Sequence, residues 1–149
     1  MEYKRGSHSV YGLQYHIVLV VKYRRKCIKG ELKNYLLQAL EEVIEMREGQ
    51  VLEMNSDLDH VHLLVELSPK YAIKDIIASL KGVTARKVRN RFPEVLAKYL
   101  WDSKSFWSNS YFISTTGGAC LETIQKYIKG QRTEKRRPGR PRHSSTSQY

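Results

Sequence analysis

Residues 59–67 read Asp-His-Val-His-Leu-Leu-Val-Glu-Leu, and this stretch limits the possible folds more than any other. Successive side chains of a β-strand point to opposite faces. Val61, Leu63, Val65 and Leu67 therefore share one apolar face, which needs a core to cover it. His60 and His62 share the other face, where two imidazoles stand side by side. Such a pair can hold a divalent metal, but two ligands do not complete a site. A half-exposed pair of strand histidines with no metal is the plain alternative. Glu66 shares the histidine face, but roughly 13 Å along the strand from His62, beyond reach of a shared ion. Cys27 and Cys120 form neither a disulfide framework nor a CxxC pair.

The rest of the chain supplies what that strand needs. Residues 1–12 are polar and read as a short arm. Residues 15–21 are β-rich and almost continuously apolar, as in a central strand covered on both faces. A basic and aromatic cluster follows, Lys22-Tyr23-Arg24-Arg25-Lys26, which reads either as a solvated turn or as a phosphate contact. Leu32, Leu36, Leu40, Val43 and Ile44 recur at helical spacing over residues 31–48, with Gly30 before the helix and Gly49 closing it. A strand over 50–56 and a tight turn at 57–59 lead into the histidine strand, completing a hairpin. Ile73, Ile76, Ile77, Leu80 and Val83 mark a second helix over 73–91, strongly basic elsewhere on its surface. A short helical turn over 94–99, a fourth strand over 106–115, the glycine pair Gly117-Gly118 and a last helix over about 121–130 complete the order.

The first six major elements match a ferredoxin-like βαββαβ unit, an α+β fold with an antiparallel sheet. In that topology the histidine strand is central. The two long helices cover one sheet face, and the histidine face stays open unless the last helix docks there. The chain has 149 residues, which suits one domain. Its net charge is +11, pointing to a polyanionic partner, usually nucleic acid. No apolar run is long enough for a transmembrane helix and no secretory signal core is evident, so no membrane partner and a reduced, cytoplasmic setting are expected. The tail over 132–149 carries six Lys+Arg and one acid. It reads as a solvated, disordered and non-specific basic segment, in preference to a minor-groove hook built on Gly139-Arg140-Pro141.

On the last helix Tyr127 and Gln131 are four residues apart and share one face. A Gln oxygen is a plausible ligand for magnesium or manganese, and a Tyr beside a metal-bound phosphate is a plausible nucleophile. Spacing alone does not single out Tyr127 among ten tyrosines, most of which would serve packing.

Several motifs in register carry a family resemblance over about residues 10–131. Tyr15-His16-Ile17-Val18 comes first, followed by Lys22-Tyr23-Arg24 and Asp59-His60-Val61-His62. Ser79-Leu80-Lys81-Gly82, Ser110-Tyr111-Phe112, Gly117-Gly118 and Tyr127-Ile128-Lys129-Gly130-Gln131 complete the set. Together they resemble the single-tyrosine HUH transposases of small insertion sequences that move as single-stranded DNA, the TnpA class. Leu58 stands where that family carries Pro; it sits in the turn and replaces no ligand.

The resemblance implies a domain over 1–131 with a catalytic helix at about 119–131. Tyr127 would attack single-stranded DNA at element-end hairpins, forming a 5′-phosphotyrosine and a free 3′-OH. His60, His62 and Gln131 would hold one Mg2+ or Mn2+. The protein would be a homodimer, with catalytic helices exchanged in trans about Gly117 and Gly118. Lys22, Tyr23, Arg24, Arg25, Lys81, Arg86 and Lys87 are the expected DNA contacts. Two other readings remain. One is a domesticated relative that processes chromosomal palindromes, and the other a non-catalytic ferredoxin-like module binding single-stranded nucleic acid.

Overall fold

The computed structural model describes residues 4–5, 10–11, 13–116 and 121–134. The elements run β1 (Lys4–Arg5), β2 (Val10–Tyr11), β3 (Leu13–Val20), a 3-10 turn (Lys22–Arg24), α1 (Gly30–Met46), β4 (Gln50–Ser56), β5 (His60–Leu67), α2 (Ile73–Arg91), α3 (Pro93–Tyr99), β6 (Phe112–Thr115) and α4 (Leu121–Lys129). The arm is thus partly a miniature antiparallel hairpin, β1 against β2. The four long strands form one sheet in the order β4-β5-β3-β6, every neighbour antiparallel. This is the expected α+β arrangement, with β3 and β5 central.

The alternation in β5 decides the layering. Val61, Leu63, Val65 and Leu67 are buried, together with Ile17 and Leu19 of β3, Leu36 and Leu40 of α1, and Ile76 and Leu80 of α2. That cluster is the main core and fills the helix side of the sheet. The opposite face carries a smaller cluster in which Val18, Val20 and Phe112 pack against Ile124, Tyr127 and Ile128 of α4. The last helix therefore docks on the face that the two long helices leave open.

Two details differ from the sequence expectation. The strand expected over 106–115 is regular only over Phe112–Thr115. Phe106 and Trp107 are consecutive and both buried, which a regular strand cannot achieve on one face. Phe106 C=O accepts from Lys22 N–H and Val20 C=O accepts from Ser108 N–H, leaving Val21 and Trp107 as an isolated bridge. Trp107 turns inward, its indole N–H donating to Thr84 Oγ1 at 3.0 Å.

At the end of α1, Glu48 rather than Gly49 takes the left-handed conformation, with φ of 60°. Gly49 is needed for a different reason. Its N–H donates to Ile44 C=O, and a Cβ at 49 would lie 2.9 Å from the carbonyl oxygen of Glu66. The helix end thus presses its backbone directly onto β5.

Candidate active site

Antiparallel register puts Val20 opposite His60 and Val18 opposite His62. The two histidines are half-buried on the α4 side of the sheet. They line a cavity of about 680 Å³ together with Arg24, Lys26, residues 55–59, and Leu121, Ile124, Gln125, Ile128 and Lys129 of α4.

Each histidine is oriented by a different partner. Asp59, itself buried, sets Oδ1 2.8 Å from His60 Nδ1. Its other oxygen accepts from Arg24 Nε at 3.2 Å. Taking Nδ1 in this way leaves Nε2 as the nitrogen that a metal would use, the arrangement a carboxylate gives behind a metal-binding imidazole. His62 Nε2 lies 2.8 Å from His16 Nδ1, with the rings tilted by 30°. One of those two nitrogens must carry the proton. Burial, and then the neighbouring His16, hold the His62 imidazole below its ordinary pKa of 6.5. The neutral form that a metal requires is therefore favoured.

Tyr127 is buried over Val18 and Val20, its ring tilted against Phe112 at 5.6 Å. Its hydroxyl is 2.9 Å from Ser110 Oγ. Gln131 Oε1 accepts from both Ser108 Oγ (2.9 Å) and Ser110 Oγ (3.0 Å). Because Ser110 has a single proton and gives it to Gln131, the Tyr127 hydroxyl is the donor toward Ser110. Both acceptor positions of Gln131 Oε1 are thereby filled.

Tyr127 and Gln131 thus turn toward the β6 side of β3, while the cavity in front of the histidines receives another flank of α4. At about 100° per residue, the Tyr127/Gln131 edge and the cavity-lining flank differ by roughly 100° around the helix axis. This docking brings His60 and His62 together and Tyr127 and Gln131 together, but gives the two pairs different neighbours.

The donor chemistry fits a divalent ion. His60 offers an oriented Nε2, and His62 offers a neutral ring whose Nε2 would exchange His16 for the metal. Among the described residues, no three His, Cys, Asp or Glu side chains cluster as a ready metal site. A third ligand must be of another type, and the Gln131 oxygen qualifies once it leaves a serine.

The expected DNA contacts separate into groups. Lys22 and Lys81 stand near each other. Burial lowers the pKa of both, and the charge of Arg132 lowers Lys22 further, as that of Lys22 does Lys81. Lys81 Nζ also donates to Asn109 C=O. The result is a concentrated positive field beside the Gln131 end of α4. Tyr23 and Arg24 both adopt left-handed backbone, with φ of 57° and 53°. This turn sends Arg24 toward Asp59 and Arg25 away from it, into a bidentate pair with Asp102. Arg86 and Lys87 lie on the helix layer, lining a hollow between α1 and α2, where Lys87 reaches Glu42. That is the sheet's other side from the histidines. Gly117 and Gly118, and the tail beyond residue 134, lie outside the described residues.

Asp59, His16, Ser108 and Ser110 were not singled out from the sequence as site residues. His16 was readable in part, since it shares a strand face with Val18 and Val20. Its approach to His62 depends on an interstrand register that no local pattern reveals.

Comparison with known proteins gives one consistent result. The family model described as "Transposase IS200 like" matches residues 9–131. The chain is 37% identical over 131 residues to the ISDra2 transposase TnpA of Deinococcus radiodurans, covering 88% of this chain and 92% of that protein. It is 31% identical to the transposase for insertion sequence element IS200 of Salmonella typhimurium, covering 88% and 84%. A crystal structure of a candidate transposase from Deinococcus radiodurans R1 superposes with a TM-score of 0.79 at 29% identity, over 88% of this chain and 99% of that one. A REP-associated tyrosine transposase bound to a REP hairpin shares the fold, with a TM-score of 0.51 at 12% identity, over 86% and 68%. By the extent of the family match and the identity to these relatives, the chain belongs to the IS200-like transposases.

Proposed function

We propose that the chain is a metal-dependent tyrosine transposase that cleaves and rejoins single-stranded DNA at hairpins. Support comes chiefly from the paired, differently braced histidines facing a cavity that Lys26 and Lys129 also line, with a tyrosine on the helix that closes it. In this reading Tyr127 Oη attacks the scissile phosphorus. A phosphotyrosine bond forms at the 5′ side, the bond to the 3′ oxygen breaks, and that oxygen leaves with a proton as a 3′-OH. Attack by another 3′-OH reverses the step and reseals the strand, so no external energy source is needed. A divalent ion, held by His60, His62 and Gln131, would polarise the phosphate. Lys22 and Lys81 would hold flanking phosphates, whose negative charge would offset the burial that lowers both lysine pKa values.

The docked α4 is then a resting arrangement. Ser110 takes the Tyr127 proton donor and fills Gln131, keeping nucleophile and third ligand out of the cavity. Activity requires α4 to turn or to re-dock, on its own subunit or on that of a partner. A homodimer with helices exchanged in trans would meet that requirement.

The test uses an oligonucleotide carrying the hairpin from the flank of the gene, with Mn2+. Wild type should give a covalent protein–DNA adduct, and Tyr127→Phe none. His60→Ala should lose the adduct and keep hairpin binding. Hairpin binding without an adduct in the wild type would favour the non-catalytic binding module instead.

A further inference from the structure

Just beyond the turn that carries Arg24, the surface changes character. Trp101, two residues past the end of α3, is 70% exposed, an uncommon fate for the largest apolar side chain. It is held in place rather than loose. The Arg25 guanidinium lies 4.5 Å from the Trp101 ring centre and 5.0 Å from that of Tyr23. That guanidinium is fixed in turn by Asp102, at 3.0 and 3.2 Å, and by the Tyr99 carbonyl oxygen at 2.7 Å. Neighbouring rings carry further cations, with Lys22 over Tyr23 and both Lys29 and Lys98 over Tyr99. Asp102, the acid in this network, is engaged by Arg25. Glu31 lines the adjacent hollow beside Lys29 and Lys98.

Rigid aromatic faces interleaved with cations form the chemistry that binds an unpaired nucleotide. The ring stacks on a base of any identity while the cations hold phosphates. The location adds a second argument. Residues 22–26 bridge the two regions, since Arg24 and Lys26 line the histidine cavity while Tyr23 and Arg25 begin the aromatic surface. The left-handed backbone at Tyr23 and Arg24 sends consecutive arginines in these two directions. Strain of this kind persists only where surrounding structure enforces it.

We propose that Trp101, braced by Arg25, is a stacking platform for an unpaired base of single-stranded DNA running out of the histidine cavity across the 22–26 turn, with Lys29 and Lys98, over the nearby Tyr99 ring, available for phosphates further along the strand. The proposal rests on the transposase reading for its ligand, but it concerns sequence-independent grip on the strand and not cleavage.

The test titrates full-length protein with an oligothymidylate, which has no hairpin. Trp107 is buried, so tryptophan emission accessible to acrylamide reports Trp101. Binding should quench that emission and shield it from acrylamide. Trp101→Ala should weaken oligothymidylate binding about tenfold or more. Trp101→Phe, which keeps a ring, should recover most of the loss. The salt dependence should stay as in wild type, because phosphate contacts remain. Affinity of Trp101→Ala within twofold of wild type, or unchanged acrylamide access on binding, overturns the proposal. The Tyr127-dependent adduct on a hairpin substrate is scored in parallel. An adduct with no effect of Trp101 sinks the platform alone, whereas oligothymidylate shielding of Trp101 without any adduct sinks the cleavage reading alone.

Discussion

Asp59→Asn isolates the role of the carboxylate behind His60. Asp59 makes two contacts at once, Oδ1 to His60 Nδ1 at 2.8 Å and Oδ2 to Arg24 Nε at 3.2 Å. Asparagine keeps the shape and one acceptor oxygen, so the imidazole can still be oriented. Its amide nitrogen, however, would face the Arg24 donor, and the negative charge that makes the ring a better ligand is gone. Alanine removes orientation as well. Carboxylates in this position are typically worth 10- to 100-fold in metal affinity. The asparagine variant should therefore lose about tenfold for Mn2+ and the alanine variant nearer 100-fold, about 1.4 and 2.7 kcal/mol. Calorimetric titration of Mn2+ into the purified variants measures this directly. Adduct formation should fall at limiting Mn2+ and recover at saturating Mn2+. Alanine at position 59 with wild-type Mn2+ affinity, alongside a His60→Ala variant that has lost it, would refute the claim that Asp59 orients the ligand.

Three further expectations follow from the fold. Gly82 is exposed within α2, and a Cβ there meets nothing within 4 Å; Gly82→Ala should stabilise by about 1 kcal/mol, raising the thermal midpoint by about 2–4 °C. Gly49→Ala should do the reverse, by about 1–3 kcal/mol, because its Cβ would press on Glu66 C=O at 2.9 Å and Ile44 Cγ2 at 3.0 Å; chemical denaturation measures both variants. Burial pushes the Cys27 thiol up to about 11 from 9.0. Iodoacetamide at pH 8 should therefore spare Cys27 in the native state, as peptide mass spectrometry would read, and the stability due to its protonated form should hold below pH 9 and be lost as pH rises through about 11.

Much of the fold was legible because its signals are periodic. The alternation across His60–Leu67 set the two faces of β5, and the leucine spacing in α1 matched the core it fills. The path of residues 106–111 was not legible. It depends on Phe106 and Trp107 both entering the core, where Thr84 offers the indole a partner from a distant helix. Gly49 looked like a helix cap and is instead a point of close approach, a distinction that needs β5 in place. In the site, the histidine pair is a local feature and was readable. The orientation of α4 was not. Ile124 and Ile128 on one flank and Tyr127 on another are all apolar enough to face the sheet, so sequence leaves the helix free to roll. The serines that select one orientation lie about twenty residues upstream.

The smaller cluster under α4 has a thermodynamic consequence. Ile124 and Tyr127 contribute most of its fully covered surface on the helix side. Burying two such side chains is worth roughly 3–6 kcal/mol. A helix released from this face without compensation would then be present in roughly one molecule in 150 to one in 25,000. Val18, Val20 and Phe112 would be bared to water for as long as it stayed away. A second surface of the same shape, if offered by another copy of the chain, would remove that penalty, since every apolar side chain uncovered at one place would be covered again at the next. The greasy underside of the helix would then act as a clock as well as glue: it sets how rarely an isolated molecule exposes its tyrosine, and exchange with a second copy would add a route whose frequency rises with protein concentration.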